Sequence, residues 1–130
     1  MTALATVEDY IDDARVLLQD EVAPYRYDDT SMLTALNVTL LETRRLRPDL
    51  FLSFTTNIAE DSIPQFTTVN TDAVEIEAQF RLGVLHGLVA HALERDQEDI
   101  QDDRSTQFMN VFNAIMIGRA TPGLARPRRG

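Results

Sequence analysis

The sequence contains no cysteine, no lysine and no tryptophan. Without cysteine, disulfide scaffolds and thiolate metal sites are excluded. A membrane-spanning helix needs roughly 20 apolar residues, whereas the longest apolar stretch, within residues 82–93, is interrupted by two histidines. The first twelve residues are acidic and lack the apolar core of a signal peptide. We therefore expect a single domain that folds in a reducing cytoplasm and does not enter a membrane.

Catalytic motifs are also missing. There is no GxGxxG, no phosphate-binding GxxxxGK[ST] and no GxSxG, and none of the four serines adjoins a histidine. Adjacent acids such as Asp12 with Asp13 are explained by helix capping or a solvated helix face. General acid–base catalysis needs a carboxylate in a desolvated cleft, which this pattern does not indicate. We expect no enzyme, no catalytic residue and no cofactor.

Two histidines and an acidic run are the only candidates for a metal site. His86 and His91 are five residues apart, which separates them by about 140° around a helix, so they cannot share one metal. Glu94 follows His91 at a ligand-like spacing, but no second such pair exists. The acidic run at residues 94–103 lacks the glycine of an EF-hand loop. We expect no metal site, and a metal-dependent helical enzyme using these three residues is a remote alternative.

Residues 75–94 form the most apolar segment of the chain. Apolar residues recur at spacings of three and four, which predicts a helix buried around most of its circumference. Asn70, Thr71 or Asp72 is expected to cap its start. Gly83 and Gly87 lie on one face, and each costs a helix about 1 kcal/mol relative to alanine. They predict that another helix packs closely there, within the subunit or across a subunit boundary.

Three shorter helices are predicted around this segment, over residues 7–20, residues 31–45 and a stretch from about residue 102 to Gly118. Thr6 is expected to cap the first, one of Asp28, Asp29 and Thr30 the second, and Asp102, Asp103 or Ser105 the fourth. Their predicted buried faces are Val7, Tyr10, Ile11, Ala14, Leu17 and Leu18; Met32, Leu33, Leu36, Leu40 and Leu41; and Phe108, Val111, Phe112, Ile115 and Met116. The fold class is all-α, a four-helix bundle-like domain over residues 1–118.

Residues 49–71, between the second and third helices, are the least helical part of the chain. Pro64 disfavours a regular central strand. The composition predicts an irregular hairpin or an extended insertion, with a return strand over residues 63–69. Its apolar side chains need a cover, either from the bundle or from a neighbouring subunit. The residues expected to contact a neighbour are Leu50, Phe51, Phe54, Ile63 and Phe66.

The charge is divided unevenly along the chain. All 21 acidic residues precede Thr106, against eight arginines there, so this part has an excess of 13 negative charges. An acidic body disfavours wrapping by nucleic acid. Residues 119–130 contain no acid, two prolines and four arginines, namely Arg119, Arg126, Arg128 and Arg129. We call this segment the basic arm, and it is a candidate for binding an acidic partner.

Short motifs in the N-terminal half resemble the head-to-tail connector (adaptor) proteins of tailed bacteriophages. The matching positions are Ala14-Arg15, Leu18 to Asp20, Arg26-Tyr27-Asp28, Leu36-Asn37 and the segment Arg45-Leu46-Arg47-Pro48-Asp49. The later stretch HALERDQED, with Phe108 and Phe112, is similar to the family's third and fourth helices. The resemblance covers most of residues 7–117 and fits residues 50–70 only loosely.

This resemblance implies a virion structural protein at the head–tail junction, made in the bacterial host cytoplasm. It implies a homo-oligomeric ring, usually of twelve copies, that docks on the portal and extends the DNA channel toward a downstream tail or nozzle protein. The basic arm would be the portal-binding segment, and the insertion would contact a neighbouring subunit or the next tail component. Genomic DNA would pass through without sequence-specific binding. The alternative is a small cytoplasmic helical interaction or regulatory module that acts as a dimer.

Overall fold

The computed structural model describes residues 3–51, 65–94 and 102–117, and this part of the chain is all-α. Its α-helices are α1 (Val7–Leu18), α2 (Asp29–Leu46), α3 (Arg81–Glu94) and α4 (Asp102–Ile117). Two short 3-10 helices, Pro48–Phe51 and Ala78–Phe80, follow α2 and precede α3. The predicted all-α, four-helix bundle-like class is confirmed. The described residues contain no regular strand, only an isolated antiparallel bridge between Thr6 and Ala73.

Helix α3 packs against all three other α-helices. Arg81, at its start, donates from Nη1 to the Ala3 carbonyl, 3.2 Å away, which brings the starts of α1 and α3 together. Gly83 lies against Ile115 near the end of α4. The helices therefore alternate in direction, with α1 and α3 starting at the end of the bundle where α2 and α4 finish. None of the helices in the described ranges is long and apolar enough to cross a bilayer.

The core is formed by the inward faces of the helices and by five side chains outside them, namely Leu4, Tyr27, Phe66, Val74 and Ile76. Burying each large apolar side chain contributes roughly 1.5–3 kcal/mol of transfer free energy. The largest fully buried side chains are Tyr10, Phe112, Ile11, Met32, Leu36, Leu40, Ile76, Leu85, Leu88, Leu93 and Met116. Because α3 supplies Leu85, Leu88 and Leu93 and packs against all three other helices, the most apolar segment of the sequence is also the centre of the core.

The first two helices begin at the capping residues that the sequence predicts. The Thr6 hydroxyl accepts from the Asp9 N–H, and the Asp9 carboxylate accepts from the Thr6 N–H, which completes a capping box. Asp28 caps α2 by accepting from the Ser31 N–H at 2.8 Å. Helix α1 ends at Leu18, two residues earlier than predicted, and α2 is longer than predicted at both ends.

The predicted start of the third helix is wrong. Helix α3 begins at Arg81, and residues 70–74 are held outside the helix because they pair with residues 5–8 around the start of α1. The Val74 N–H donates to the Ala5 carbonyl at 2.9 Å, and the Val7 N–H donates to the Asp72 carbonyl at 3.0 Å. Val74 and Ile76 are buried, whereas Glu77 is exposed. This alternation is the period of a strand, and in a short segment it is easily mistaken for the flank of a helix.

Three predictions about individual helix faces are also wrong. Leu41 and Val111, predicted to be buried, are 46% and 38% exposed, because each lies at the margin of its apolar stripe. Asp13, explained from the sequence by helix capping or a solvated helix face, is only 5% exposed within α1. An apolar side chain at the margin of a stripe is not forced inward, since folded proteins expose much apolar surface. Periodicity therefore locates the centre of a buried face better than its edges.

Candidate functional site

Gly83 and Gly87 lie where α3 meets its neighbours in the same chain. A Cβ added at Gly83 would stand 2.8 Å from Cγ2 of Ile115 and 2.8 Å from Cε of Met116. A Cβ added at Gly87 would stand 2.7 Å from Cγ2 of Thr39 and 2.8 Å from Cδ1 of Phe112. These distances are shorter than van der Waals contact, so the two glycines permit α2 and α4 to approach α3. The close helix packing therefore lies within the subunit.

A buried arginine organises the end of the bundle where α1 finishes. Arg15 donates from Nη1 to Oδ2 of Asp20 at 3.0 Å and to the Tyr27 carbonyl at 2.7 Å. Its Nη2 donates to Oδ1 of Asp29 at 2.8 Å. The guanidinium carbon also lies 3.8 Å from the centre of the Tyr25 ring, a cation–π contact. We call these five residues the Arg15 cluster.

Asp20 extends the Arg15 cluster to the main chain of the α1–α2 connection. Its Oδ1 accepts from the Arg26 N–H at 2.8 Å, and its Oδ2 accepts from the Tyr27 N–H at 3.0 Å. Arg15 is 5% exposed and Asp20 is 9% exposed. A buried ion pair is strongly destabilising when one partner is removed, because the other charge is left in a low-dielectric interior. This cluster therefore holds the connection in one conformation.

Asn37, in the middle of α2, fixes the chain that returns from the insertion. Its Nδ2 donates to the Phe66 carbonyl at 3.0 Å, and its Oδ1 accepts from the Phe66 N–H at 3.0 Å. One side-chain amide thus satisfies both main-chain groups of a residue that belongs to no regular element. Residues 65–69 do not form the predicted return strand, because the partner of Phe66 is a side chain.

A second arginine joins three elements at the other end of the bundle. Arg47 donates from Nε to Oδ1 of Asp49 at 3.0 Å and from Nη2 to Oδ2 of Asp49 at 2.9 Å. Its Nη1 donates to the Met116 carbonyl at 2.9 Å, which caps the end of α4. The guanidinium carbon lies 4.6 Å from the centre of the Phe80 ring. We call these four residues the Arg47 cluster.

Two aspartates differ in their acidity. The hydrogen bonds from Arg47 lower the pKa of the Asp49 carboxyl, because they favour the charged form. On α1, burial raises the pKa of Asp12, and the nearby carboxylates of Asp13 and Asp9 raise it further. Asp49 is therefore stabilised as an anion in the folded chain, whereas Asp12 is disfavoured as one.

The histidines do not assemble a metal site in the described part of the chain, where no group of three potential ligands lies together. His86 Nδ1 lies 2.8 Å from the Leu82 carbonyl, and its ring packs 5.5 Å from that of Phe108. His91 Nδ1 lies 3.6 Å from Oε1 of Glu94. The Ser105 hydroxyl lies 3.2 Å from the Ala90 carbonyl and 3.4 Å from Glu94 Oε2. Because Glu94 stands between Ser105 and His91, these residues do not form a serine–histidine pair.

The insertion residues predicted to contact a neighbour fall into two groups. Leu50 and Phe66 are 5% and 9% exposed, because both pack into the core of their own subunit. They leave little surface for a partner. The predictions for the side chains of Phe51, Phe54 and Ile63 lie outside the described part of the structure. So do the predictions for Arg119, Arg126, Arg128 and Arg129 in the basic arm.

An open groove of about 540 Å³ lies beside the extended segment before α3. We call it the Ala73 groove, and it is lined by Ala5, Ala73, Val74, Glu75, Ile76, Glu77 and Arg81. Arg81 Nε donates to the Ile76 carbonyl at 2.7 Å, and its Nη1 donates to the Ala3 carbonyl, so its guanidinium braces the groove from within. The lining offers a ligand two carboxylates and the apolar surfaces of Ala5, Val74 and Ile76.

Sequence reasoning missed the Ala73 groove and the partners of both arginines. The alternation of Val74, Glu75, Ile76 and Glu77 is the one signal that could have indicated an extended edge. Nothing local indicates that Arg47 reaches the Met116 carbonyl, because the two residues are 69 positions apart.

No protein-family model, no curated protein sequence and no solved structure matches the chain.

Proposed function

We propose that the protein is a virion structural protein, a ring-forming head-to-tail adaptor that docks on a portal and extends the DNA channel toward the tail. The ring would contain about twelve copies, the number that the resemblance to phage connectors implies. The protein would bind no cofactor and catalyse no reaction.

The observation that carries this proposal is the role of the motif residues. Arg15, Asp20, Tyr27 and Asp28 hold the α1–α2 connection, Asn37 holds the returning insertion, and Arg47 with Asp49 holds the end of α4. These positions are the ones that resemble the connector family. Each makes a structural contact between elements, which is what a motif must do if it specifies a fold in a protein without catalytic residues.

A second support is the placement of the two segments expected to make intermolecular contacts. The insertion leaves the bundle after Pro48–Phe51, and the basic arm leaves it after α4. The bond between Arg47 and the Met116 carbonyl brings these two departure points together. A subunit built this way can present both segments from one end toward a larger partner.

The charge distribution also suits a channel wall. The excess of acidic residues before Thr106 repels DNA phosphates, so DNA can slide past without being held. The basic arm has the opposite sign and suits an acidic surface on the portal.

The test is co-expression of the full chain with its cognate portal protein, followed by native mass measurement and negative-stain imaging. We expect a closed ring of about twelve copies seated on the portal. A chain ending at Gly118 should fold but attach poorly to the portal, because it lacks the four arginines of the basic arm.

A control variant separates the arm's charge from its length. Replacing Arg119, Arg126, Arg128 and Arg129 with glutamine keeps the arm but removes its charge, and it should reproduce the attachment defect. A compact dimer that ignores the portal would contradict the adaptor and favour the cytoplasmic interaction module. Normal attachment by the truncated chain would contradict the role given to the arm.

A further inference from the structure

We infer that the Ala73 groove is the docking site for the basic arm of the same chain when no other partner holds that arm. The inference concerns the isolated subunit and does not depend on the adaptor function. It rests on an unpaired main-chain edge, the charge beside that edge, and the point at which the arm leaves the bundle.

The first observation is the edge at Ala73. Ala73 stands opposite Thr6 in an antiparallel bridge flanked by the hydrogen bonds of Val74 and Val7. In this arrangement the N–H and C=O of Ala73 point away from the paired chain. No described residue hydrogen-bonds either group, and the side chain is small and exposed. An extended peptide can add to such an edge through main-chain hydrogen bonds.

The second observation is the chemistry of the groove. Glu75 and Glu77 line it together with the apolar surfaces of Ala5, Val74 and Ile76. Arg81, the one basic lining residue, directs hydrogen bonds to the main-chain carbonyls of Ile76 and Ala3. A matching ligand is an extended peptide that carries an apolar residue and arginines on the same side. The basic arm fits this description, because Leu124, Arg126 and Arg128 are two residues apart and share one side of an extended backbone.

The third observation is where the arm begins. The Met116 carbonyl at the end of α4 is bound by Arg47, whose guanidinium lies over Phe80. Glu77 is near enough to Arg47 to raise the pKa of its guanidinium, although the bonds to Asp49 are the larger cause. The chain therefore leaves α4 beside the segment that lines the groove. Leu124 is seven positions after Ile117, so the extended chain between them can span up to about 23 Å.

The two prolines of the basic arm restrict the backbone conformations that it can adopt. Pro122 and Pro127 interrupt any helix and favour extended backbone at the residues before them. An extended peptide with a matching edge and opposite charge nearby is held at a high effective concentration, because it is tethered to the same molecule. The groove and the arm are therefore suited to each other in chemistry, in backbone conformation and in reach.

Disulfide trapping tests this inference, since the chain has no cysteine of its own. The test protein is the full chain carrying Ala73→Cys and Leu124→Cys. The matched control carries Leu41→Cys and Leu124→Cys, because Leu41 is exposed on the outward face of α2 near the same end of the bundle. Both proteins are first shown to fold by circular dichroism, and are then oxidised mildly at low concentration.

We expect the intramolecular disulfide to form about tenfold faster in the Ala73 pair than in the Leu41 pair. Adding Arg126→Gln, Arg128→Gln and Arg129→Gln to the Ala73→Cys and Leu124→Cys protein should lower its rate of disulfide formation to that of the control. Raising the salt to 1 M, where the Debye length is about 3 Å, should also slow it.

Three results would overturn the inference. Equal rates in the two pairs would mean that the arm samples the surface without docking. Disulfide-linked dimers in place of closed monomers would mean that the arm docks on a second copy. A rate that ignores both salt and the loss of arginines would mean that the charge of the groove does not select the arm. None of these results depends on whether the protein binds a portal.

Discussion

The Arg15 and Arg47 clusters, at opposite ends of the bundle, use the same kind of residue in different surroundings. Arg15 is 7% exposed in its side chain, and its partner Asp20 is 9% exposed. Arg47 is 28% exposed, and its partner Asp49 is 56% exposed. The first cluster closes a connection with no further role evident in the described residues. The second joins the start of the insertion to the end of α4, and its side chains are partly exposed to solvent.

The burial of an arginine and its partner determines how much their ion pair contributes to stability. In the Arg15 cluster the charge is removed from water and depends on its partners, so breaking it is costly. In the Arg47 cluster water screens the charges, so each contact contributes less. The Arg47 cluster, at the end of the bundle that is expected to meet a partner, is therefore the less stabilising of the two clusters.

The largest predicted effect is at the buried cluster. Replacing Arg15 with methionine should lower the free energy of unfolding by about 3–5 kcal/mol, because Asp20 is left buried without its countercharge. Urea denaturation at neutral pH measures the change. Arg45→Met is the control, since the Arg45 pair with Glu42 is exposed and should contribute less than about 1 kcal/mol. An equal loss of unfolding free energy in the two variants would show that burial does not determine how much an arginine contributes.

A smaller effect is predicted at the exposed cluster. Arg47→Met should lower the free energy of unfolding by about 1–2 kcal/mol at neutral pH, through the loss of hydrogen bonds to Asp49 and the Met116 carbonyl. The folded-state pKa of Asp49 is below its unfolded value of 3.8. Its contribution is therefore present above that value and is lost as the pH falls through the folded-state pKa.

Urea denaturation at a series of pH values tests whether the Asp49 contribution to stability is lost as the pH falls. The stability gap between the native chain and Arg47→Met should narrow as the pH falls below 3.8, with a residual gap from the Met116 contact. A gap that stays constant into strong acid would show that Asp49 does not draw its stabilisation from Arg47.

The smallest effect is predicted at Gln19, one of two residues with a left-handed backbone at opposite ends of α1. Gln19 ends α1 with φ of 59°, and Leu4 precedes α1 with φ of 57°. Gln19 is exposed, so Gln19→Gly should stabilise the chain by about 0.5–1 kcal/mol, as glycine adopts this conformation without steric cost.

Leu4→Gly is the matched comparison. Leu4 is buried, so the same backbone relief is outweighed by lost packing, and the variant should be destabilised by roughly 2–4 kcal/mol. Thermal unfolding of both variants shows whether each one is more or less stable than the native chain. A gain in stability at Leu4 would mean that backbone strain, and not burial, dominates at that position.

Much of the fold could be predicted from the sequence because the relevant interactions are local. Thr6 and Asp9 are three residues apart, as are Asp28 and Ser31, so the caps of α1 and α2 are visible in the chain itself. The glycine pair in α3 likewise predicts close packing without naming the partner. The candidate binding surface could not be predicted in the same way, because the Ala73 groove is formed by segments that are distant in sequence.

The residue pattern alone predicts the class of the protein: four apolar stripes of helical period, the caps of the first two helices, an acidic body and a basic arm. Each follows from the residue types and from spacings within one or two turns. The tertiary structure sets where α3 begins, because pairing with residues 5–8 holds residues 70–74 outside the helix. It also decided which carbonyls and carboxylates the two arginines bind. Those choices depend on long-range closure of the chain, and no local propensity encodes them.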